Sequence, residues 1–543
     1  MDSRINSLIT RGDKLFGDKS TLDTLHQEIA DNFYVERATF TRVHDVGEEF
    51  AAHLYTSYPP LVHRELSDAI GGMLRPRSMP WFEMVAEEQD KLGLEAKEWL
   101  QWATGVQRRA MYDRGAQFSR ATKQGDRDFS AFGQCVVQRM MNWRDSRLLY
   151  RTWHLKDVAW SEGSDGAISE IHRRWKPMAS QIVGMFPAAA HEKVRQCLVK
   201  EPFKKITCRA VVLKAEDYES PVGKKFRTPW VQLYIDVENK HVMEEVGTHS
   251  HGYTIPRWVT PGDAQYAYSP ATIIGLPEAR LIQAMTLTLL EAGEMAVRPP
   301  LIATQDAIRE DVNWYPGGIT WADVEYDERK GDVLRTISQD KSGLPFGMDF
   351  AAESKSMLAA IFYLNKLNMP LGQGRDRTAY EVGQMVQEYI RQALPLFEPI
   401  EDEYNAPICE DAFEGLLRSG TFGAPHNMPR ELTDGREIRF RFESPLHDAV
   451  ERKKAITFLE MKNLIMEAVE LDPDVAHIPK ATVAIREAIE GLSTPMAWLR
   501  DEDEASELAE AANQKRAMAE TAAIAGEAAT AAEQMGKASQ ALQ

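Results

Sequence analysis

Apolar positions recur at helical spacing from Met1 to about Gly125, with mixed charge between them and few glycine or proline breaks, which predicts a mainly helical N-terminal stretch. Tyr58-Pro59-Pro60 is expected to interrupt one of these helices. Leu66, Ile70, Met73 and Leu74 share one stripe, and the run from Arg75 to Pro80 should stop that helix ahead of Trp81-Phe82. Between about Phe132 and Asn239 the period falls to two. The runs Leu148 to His154, Ala167 to Arg173, Ile206 to Leu213 and Trp230 to Val237 read as strands, with Gly163-Ser164-Asp165-Gly166 as a hairpin turn. A loop rich in proline and glycine follows, from Ile255-Pro256-Arg257-Trp258 through Gly262-Asp263 to Tyr268-Ser269-Pro270.

A helix is expected from Pro277, which suits a first helical position, to the stop at Arg298-Pro299-Pro300, with Ile282, Met285, Leu289 and Ala292 on one face. Residues 300 to about 343 read as short strands around the turn Tyr315-Pro316-Gly317-Gly318, flanked by Trp314 and Trp321. A second helix is expected from the N-cap Asp349 to about Leu367, with Met357, Ile361 and Leu364 on one face. A compact β insert between two helices of similar length implies an antiparallel pair with an excursion at its tip. The loop from Asn368 to Arg377 is glycine-rich and basic. A long helical stretch follows from Thr378 toward Arg418, with kinks expected at Pro395, Pro399 and Pro407. Ile438, Phe440 and Phe442 alternate with Arg439 and Arg441 as in a strand, and helices should fill Pro445 to Trp498.

The last segment, residues 501–543, holds 15 Ala, 9 Asp or Glu and 3 Lys or Arg. Met518, Ala522, Ala525, Ala529 and Ala532 step by four and three, the seam spacing of packed helices with small side chains. A helix of ~43 residues would be ~64 Å long and could not bury such a stripe alone, so it is expected to pack against copies of itself.

Composition narrows the function classes. No window reaches the ~18 uncharged apolar residues expected of a membrane span, and Met1-Asp2-Ser3-Arg4-Ile5-Asn6 lacks an apolar leader, so a cytosolic protein without membrane contact is expected. Cys135, Cys197, Cys208 and Cys409 show no CxxC spacing, which favours reduced thiols and argues against a zinc site. With 64 Lys and Arg against 82 Asp and Glu the net charge is −18, which opposes nucleic-acid binding by the whole surface and leaves only local basic tracks.

Candidate chemistry is sparse. There is no GxxxxGK[ST] loop to cradle nucleotide phosphates, Gly372-Gln373-Gly374 lacks the third glycine of a dinucleotide turn, and Arg195 stands where a zincin helix beginning at His191 needs its second histidine. No cofactor and no metal are expected. His249-Ser250-His251 places a serine between two imidazoles, the nearest approach to an activated nucleophile, although the flanking glycines do not match a nucleophile elbow. The most basic stretch, with Arg139, Arg144, Arg147, Arg151 and Lys156 interleaved with Trp143 and Trp153, reads either as a nucleic-acid track or as core aromatics with solvated or intersubunit arginines.

Three ordered motifs carry a resemblance: Leu74-Arg75-Pro76 to Pro80-Trp81-Phe82, the Ile255 to Pro270 loop, and the helix start Arg377-Thr378-Ala379-Tyr380-Glu381-Val382. Together they resemble the portal, or head-to-tail connector, family of short-tailed T7-like phages over roughly residues 20 to 500. The resemblance implies an α+β, predominantly helical, multi-domain subunit of a non-enzymatic ring, usually dodecameric, at one capsid vertex. It implies a wing at 1–275, a stem helix at 276–297, a clip at 298–346, a second stem helix at 347–367, a channel loop at 368–376, a long wing helix at 377–426, a crown at 427–500 and a barrel helix at 501–543.

It further implies that Lys366, Gln373, Arg375 and Arg377 face DNA, that Trp314, Tyr315 and Trp321 lie in the docking clip, and that Met518, Ala522, Ala525, Ala529 and Ala532 pack the barrel. The implied partners are further copies of the chain, double-stranded DNA, the terminase large subunit, a tail adaptor, and major capsid with scaffolding or internal core proteins. Assembly in the host cytoplasm and residence in the virion follow from the same likeness. The competing readings are a cytosolic hydrolase built on His249, Ser250 and His251, or another virion ring component such as a tail adaptor.

Overall fold

The computed structural model describes residues 3–45, 47–77, 79–86, 92–142, 147–220, 223, 225–262, 264–297, 301–303, 334–336, 343–367, 400–423, 428–433, 438–442 and 457–466, with scattered positions between 484 and 518. In chain order the helices are α1 (Ser3–Asp18), α2 (Ser20–Phe33), α3 (Tyr58–Leu74), α4 (Leu94–Met111), α5 (Phe118–Phe132), α6 (Ala179–Met185), α7 (Glu192–Lys200), α8 (Pro270–Val297), α9 (Gly343–Ile361), α10 (Leu364–Leu367), α11 (Ala406–Arg418) and α12 (Arg430–Thr433). The strands are β1 (Phe82–Ala86), β2 (Val136–Asn142), β3 (Arg147–Trp153), β4 (Val158–Glu162), β5 (Ile168–Trp175), β6 (Cys208–Lys214), β7 (Trp230–Asp236), β8 (His241–Thr248), β9 (Tyr253–Thr254), β10 (Leu301–Ala303), β11 (Leu334–Thr336) and β12 (Ile438–Phe442). Two compact units result, one from Met1–Trp81 with Gln107–Thr421, the other from Phe82–Val106 with Phe422–Gln543.

In the first unit β4 to β8 form a five-stranded antiparallel meander in sequence order. Alternation on β7 and β6 turns Val231, Leu233, Ile235, Val211 and Leu213 to one face, where Ile5, Leu8 and Ile9 of α1 cover them. Cys208 and Met243 meet Ala179, Ile182 and Val194 of α6 and α7 in a second apolar cluster. With cover on both sides, β6 is buried from Cys208 to Leu213. The expected hairpin turn holds, because Gly163 N–H donates to Ala167 O and Gly166 adopts φ 71°, a region glycine enters without strain. A second sheet, ordered β3-β2-β9, packs beside α5.

Several boundaries differ from the sequence expectation. Tyr58-Pro59-Pro60 opens α3 rather than interrupting a helix, since a proline at the first turn removes an N–H that has no intrahelical partner. Val62, Leu66, Ile70 and Leu74 form the buried stripe of α3, with Met73 half-buried. Helix α8 starts at Pro270, seven residues before Pro277, which sits inside the helix on an exposed side. The start of α9 lies at Gly343 rather than Asp349, and its buried stripe is Ala351, Ser354 and Leu358 while Met357 is exposed. It ends where Tyr363 adopts φ 59°, a left-handed turn that costs a non-glycine residue about 1 kcal/mol. Near Pro407 the chain widens into a π-helical turn over Glu401–Asn405 before α11, consistent with the donor that proline withdraws.

In the second unit the expected strand β12 exists, and its partner is β1, in a segment read from sequence as helical. Antiparallel register sets Phe82 opposite Phe442 and Met84 opposite Phe440. Trp99 and Trp102 of α4 gather around Phe422 with ring centroids 6.1 and 6.4 Å away. Residues 457–466 are helical, as expected there.

Candidate functional site

Helices α8 and α9 form an antiparallel rod pair. A Cβ added at Gly275, near the start of α8, would meet Leu358 and Phe362 at the end of α9, while one at Gly347 would meet Leu289 of α8. Both glycines let the two backbones approach closely. Beyond the rods β10 and β11 pair antiparallel, Leu301 opposite Thr336 and Ala303 opposite Leu334, so the chain leaves and re-enters at one tip. The insert between β10 and β11, with Trp314, Tyr315 and Trp321, lies outside the described residues, as do Gln373, Arg375, Arg377, Ala522, Ala525, Ala529 and Ala532. Lys366 is described only as part of the α10 backbone, and Met518 is a helical residue 70% exposed.

The rods divide lengthwise. In the first half of α8, Ala271, Thr272, Leu276, Ala279 and Ile282 are buried, and Arg280 pairs with Glu28 of α2. Toward the tip the apolar side chains lose cover, with Leu290 54%, Met295 48% and Phe346 of α9 74% exposed. Contrary to the composition argument, α8 is long and apolar enough to cross a membrane by those two criteria.

The His249-Ser250-His251 segment lies in the bend between β8 and β9. Ser250 Oγ donates to Asp411 Oδ1 and accepts from Arg139 Nη2 at 2.9 Å. Arg139 grips both oxygens of Asp411, at 2.6 Å each. His251 Nδ1 accepts the Tyr253 N–H, and burial lowers its pKa, holding it neutral. Among the described residues neither imidazole is bonded to Ser250, and the carboxylate that accepts its proton, Asp411, is itself paired at both oxygens with Arg139, unlike the imidazole base of a nucleophile pair. This cluster is a structural clasp joining β2, the bend and α11. Asp411 lies 272 positions from Arg139, which is why no local signal revealed the pairing.

The basic stretch is similarly committed. Arg147 pairs with Asp113, Arg151 lies over the Trp153 ring at 4.8 Å, and Lys156 Nζ donates to Thr39 O. Arg147 and Arg151 themselves stay exposed, and Trp143 and Arg144 lie outside the described residues. All four cysteines are free, and among the described residues no group of His, Cys, Asp and Glu is arranged to hold a metal.

Residues 6–499 match the family described as bacteriophage head to tail connecting protein. The chain belongs to that family. Among curated relatives, the connector is 21% identical over 387 residues to a probable portal protein of Bordetella phage BPP-1, an alignment covering 70% of this chain and 67% of the relative. It is 19% identical over 224 residues to the portal protein of Salmonella phage epsilon15, covering 41% of this chain and 39% of that protein. A solved structure titled "Virion of native gene transfer agent (GTA) particle" aligns over 75% of the connector and 86% of that chain, at 10% identity and a TM-score of 0.37, a level on which no argument rests. The connector is a portal-type component of a phage particle, and neither competing reading is favoured.

Proposed function

We propose that the connector assembles into a closed ring, usually of twelve copies, whose axial bore passes double-stranded DNA during packaging and ejection without enzymatic action of its own. The observation that carries this reading is the antiparallel α8/α9 pair ending in a β tip, whose apolar faces one chain leaves exposed. Identical subunits related head to tail close into a ring when the rotation permits, and the exposed faces are then covered by neighbours rather than by lipid.

In this reading α8 and α9 are the stem and residues 298–346 the clip, where Trp314, Tyr315 and Trp321 dock first the terminase large subunit and then a tail adaptor. Residues 368–376 form the channel loop, with Lys366, Gln373, Arg375 and Arg377 touching DNA transiently. The wing takes in 1–275 and 377–426, the crown 427–500, and the helical barrel 501–543 packs through Met518, Ala522, Ala525, Ala529 and Ala532. Capsid and scaffolding or internal core proteins surround the ring at one vertex, and assembly takes place in the host cytoplasm. An acidic chain suits a conduit, because each phosphate-neutralising contact added to a bore strengthens binding and slows passage.

Negative-stain imaging of the purified full chain tests the proposal. Rings with an open centre are expected. A monomer at every concentration, with no ring class, overturns it.

A further inference from the structure

Helix α5 packs its apolar side into the first unit and turns a different face outward. Arg120, Lys123, Gln124 and Arg127 stand at spacings of three, four and seven on that face. With Tyr34, just past the end of α2, they line a depression of about 280 Å³. Three of its five lining residues are cations and none is a carboxylate, in a chain whose net charge is −18.

The nearby acids are shared with, or held by, cations outside the depression. Asp68 is shared between Lys123, at 3.4 Å, and Arg64, at 3.8 Å. Asp128, next in sequence to Arg127, is held at both oxygens by Arg37, at 3.0 and 2.7 Å. Among the described residues Arg120 and Arg127 have no ion-pair partner, and Arg127 Nε is buried with no hydrogen-bond acceptor. A buried charged donor left unmet is costly. Three cations on one helix face also repel each other unless an anion sits among them. Burial raises the pKa of the Tyr34 phenol, so it stays protonated beside the cations.

We propose that this depression binds a phosphate group, with the Arg127 guanidinium and Arg120 as its principal donors and Lys123 as a supporting charge. Guanidinium forks match the geometry of phosphate oxygens, and the open depression leaves room for the group that carries the phosphate. The phosphate comes either from a free phosphate compound or from the backbone of DNA. The site uses no residue of α8 or α9, so it does not depend on the ring reading.

The test uses the full chain and follows its thermal midpoint against inorganic phosphate, with chloride at matched ionic strength as the control. Phosphate should raise the midpoint progressively, as a ligand selective for the folded state does. Arg127→Gln and Arg120→Gln should each weaken phosphate binding by about tenfold or more, while leaving the midpoint without phosphate unchanged or slightly raised by relief of like-charge repulsion. A merely structural role for these arginines predicts the opposite, a lowered midpoint with no phosphate present. A short DNA duplex is then added as competitor: displacement of phosphate that is lost in both variants identifies the DNA backbone as the source, and binding of phosphate without such competition identifies a free phosphate compound. No phosphate-specific shift in the unaltered chain, or shifts that both variants retain in full, overturns the proposal.

Discussion

Strand β6 and the far half of α8 are both rich in apolar side chains, yet Cys208 to Leu213 are all buried whereas Leu290 and Val297 are 54% and 81% exposed. The strand lies between α1 on one face and α6 with α7 on the other, all supplied by its own chain. The helix finds such cover only along its first half. Apolar pattern therefore states that a face must be buried and leaves open by whom. In β6 the answer lies within the subunit; in α8 and α9 the proposed answer is another copy.

The contrast can be broken at either end. Leu233→Ala, within the sheet core, should cost about 2–5 kcal/mol and lower both the thermal midpoint and soluble yield, because a large buried side chain leaves a cavity. Leu290→Asp should change the stability of the isolated subunit by no more than about 0.5 kcal/mol while abolishing assembly, read by sedimentation. Equal destabilisation in the two variants would mean that the rods are part of the subunit's own core.

The Arg139–Asp411–Ser250 clasp comes next. Asp411→Ala strands a guanidinium that is 13% exposed and should cost roughly 3 kcal/mol in denaturant unfolding. Ser250→Ala should cost about 1 kcal/mol, the contribution of a hydrogen bond rather than of a nucleophile.

Stability is also expected to depend on pH. Burial pushes His26 down to about 3, His63 to about 4 and His154 to about 2. These folded values lie below the unfolded value near 6.5, so below pH 6.5 the unfolded chain binds more protons, and stability falls as pH drops toward 4. Each histidine contributes up to about 1.4 kcal/mol per pH unit in that window. Asp126 and Asp128 oppose the trend, since burial raises their pKa and the folded state then gains protons first. The histidine share is isolated with His26→Leu. Among the described residues neither ring nitrogen of His26 has a partner, between Phe40 and Phe132, so the variant should match or exceed the native midpoint at neutral pH and flatten its decline in acid. The smallest change is Arg147→Ala, whose pair with Asp113 is largely solvated and is worth under about 1 kcal/mol.

What the sequence made legible follows the range of the forces involved. The period-two runs, the Gly163–Gly166 turn and the stripe on α8 through Ile282 depend on neighbours a few residues apart, and they stand where expected. The pairing of β1 with β12, the Arg139–Asp411 clasp and the burial of Leu358 rather than Met357 depend on segments that meet only after folding. Pro277 misled for a related reason. It fits a first helical turn, but the Ser269-Pro270 step upstream offers the same signal, and the packed Ala271, Thr272 and Leu276 extend the helix back to it. The row Arg120, Lys123 and Arg127 was readable as one helix face all along, and only the depression beside Tyr34 gives it a use.

The most direct measurement is a density map of the assembled particle that resolves side chains along α8 and α9. Leu281, Leu290, Phe350 and Met357 should each lie against side chains of an adjacent copy around an open axis. Finding them facing lipid, bulk solvent or the subunit's own core would contradict the account.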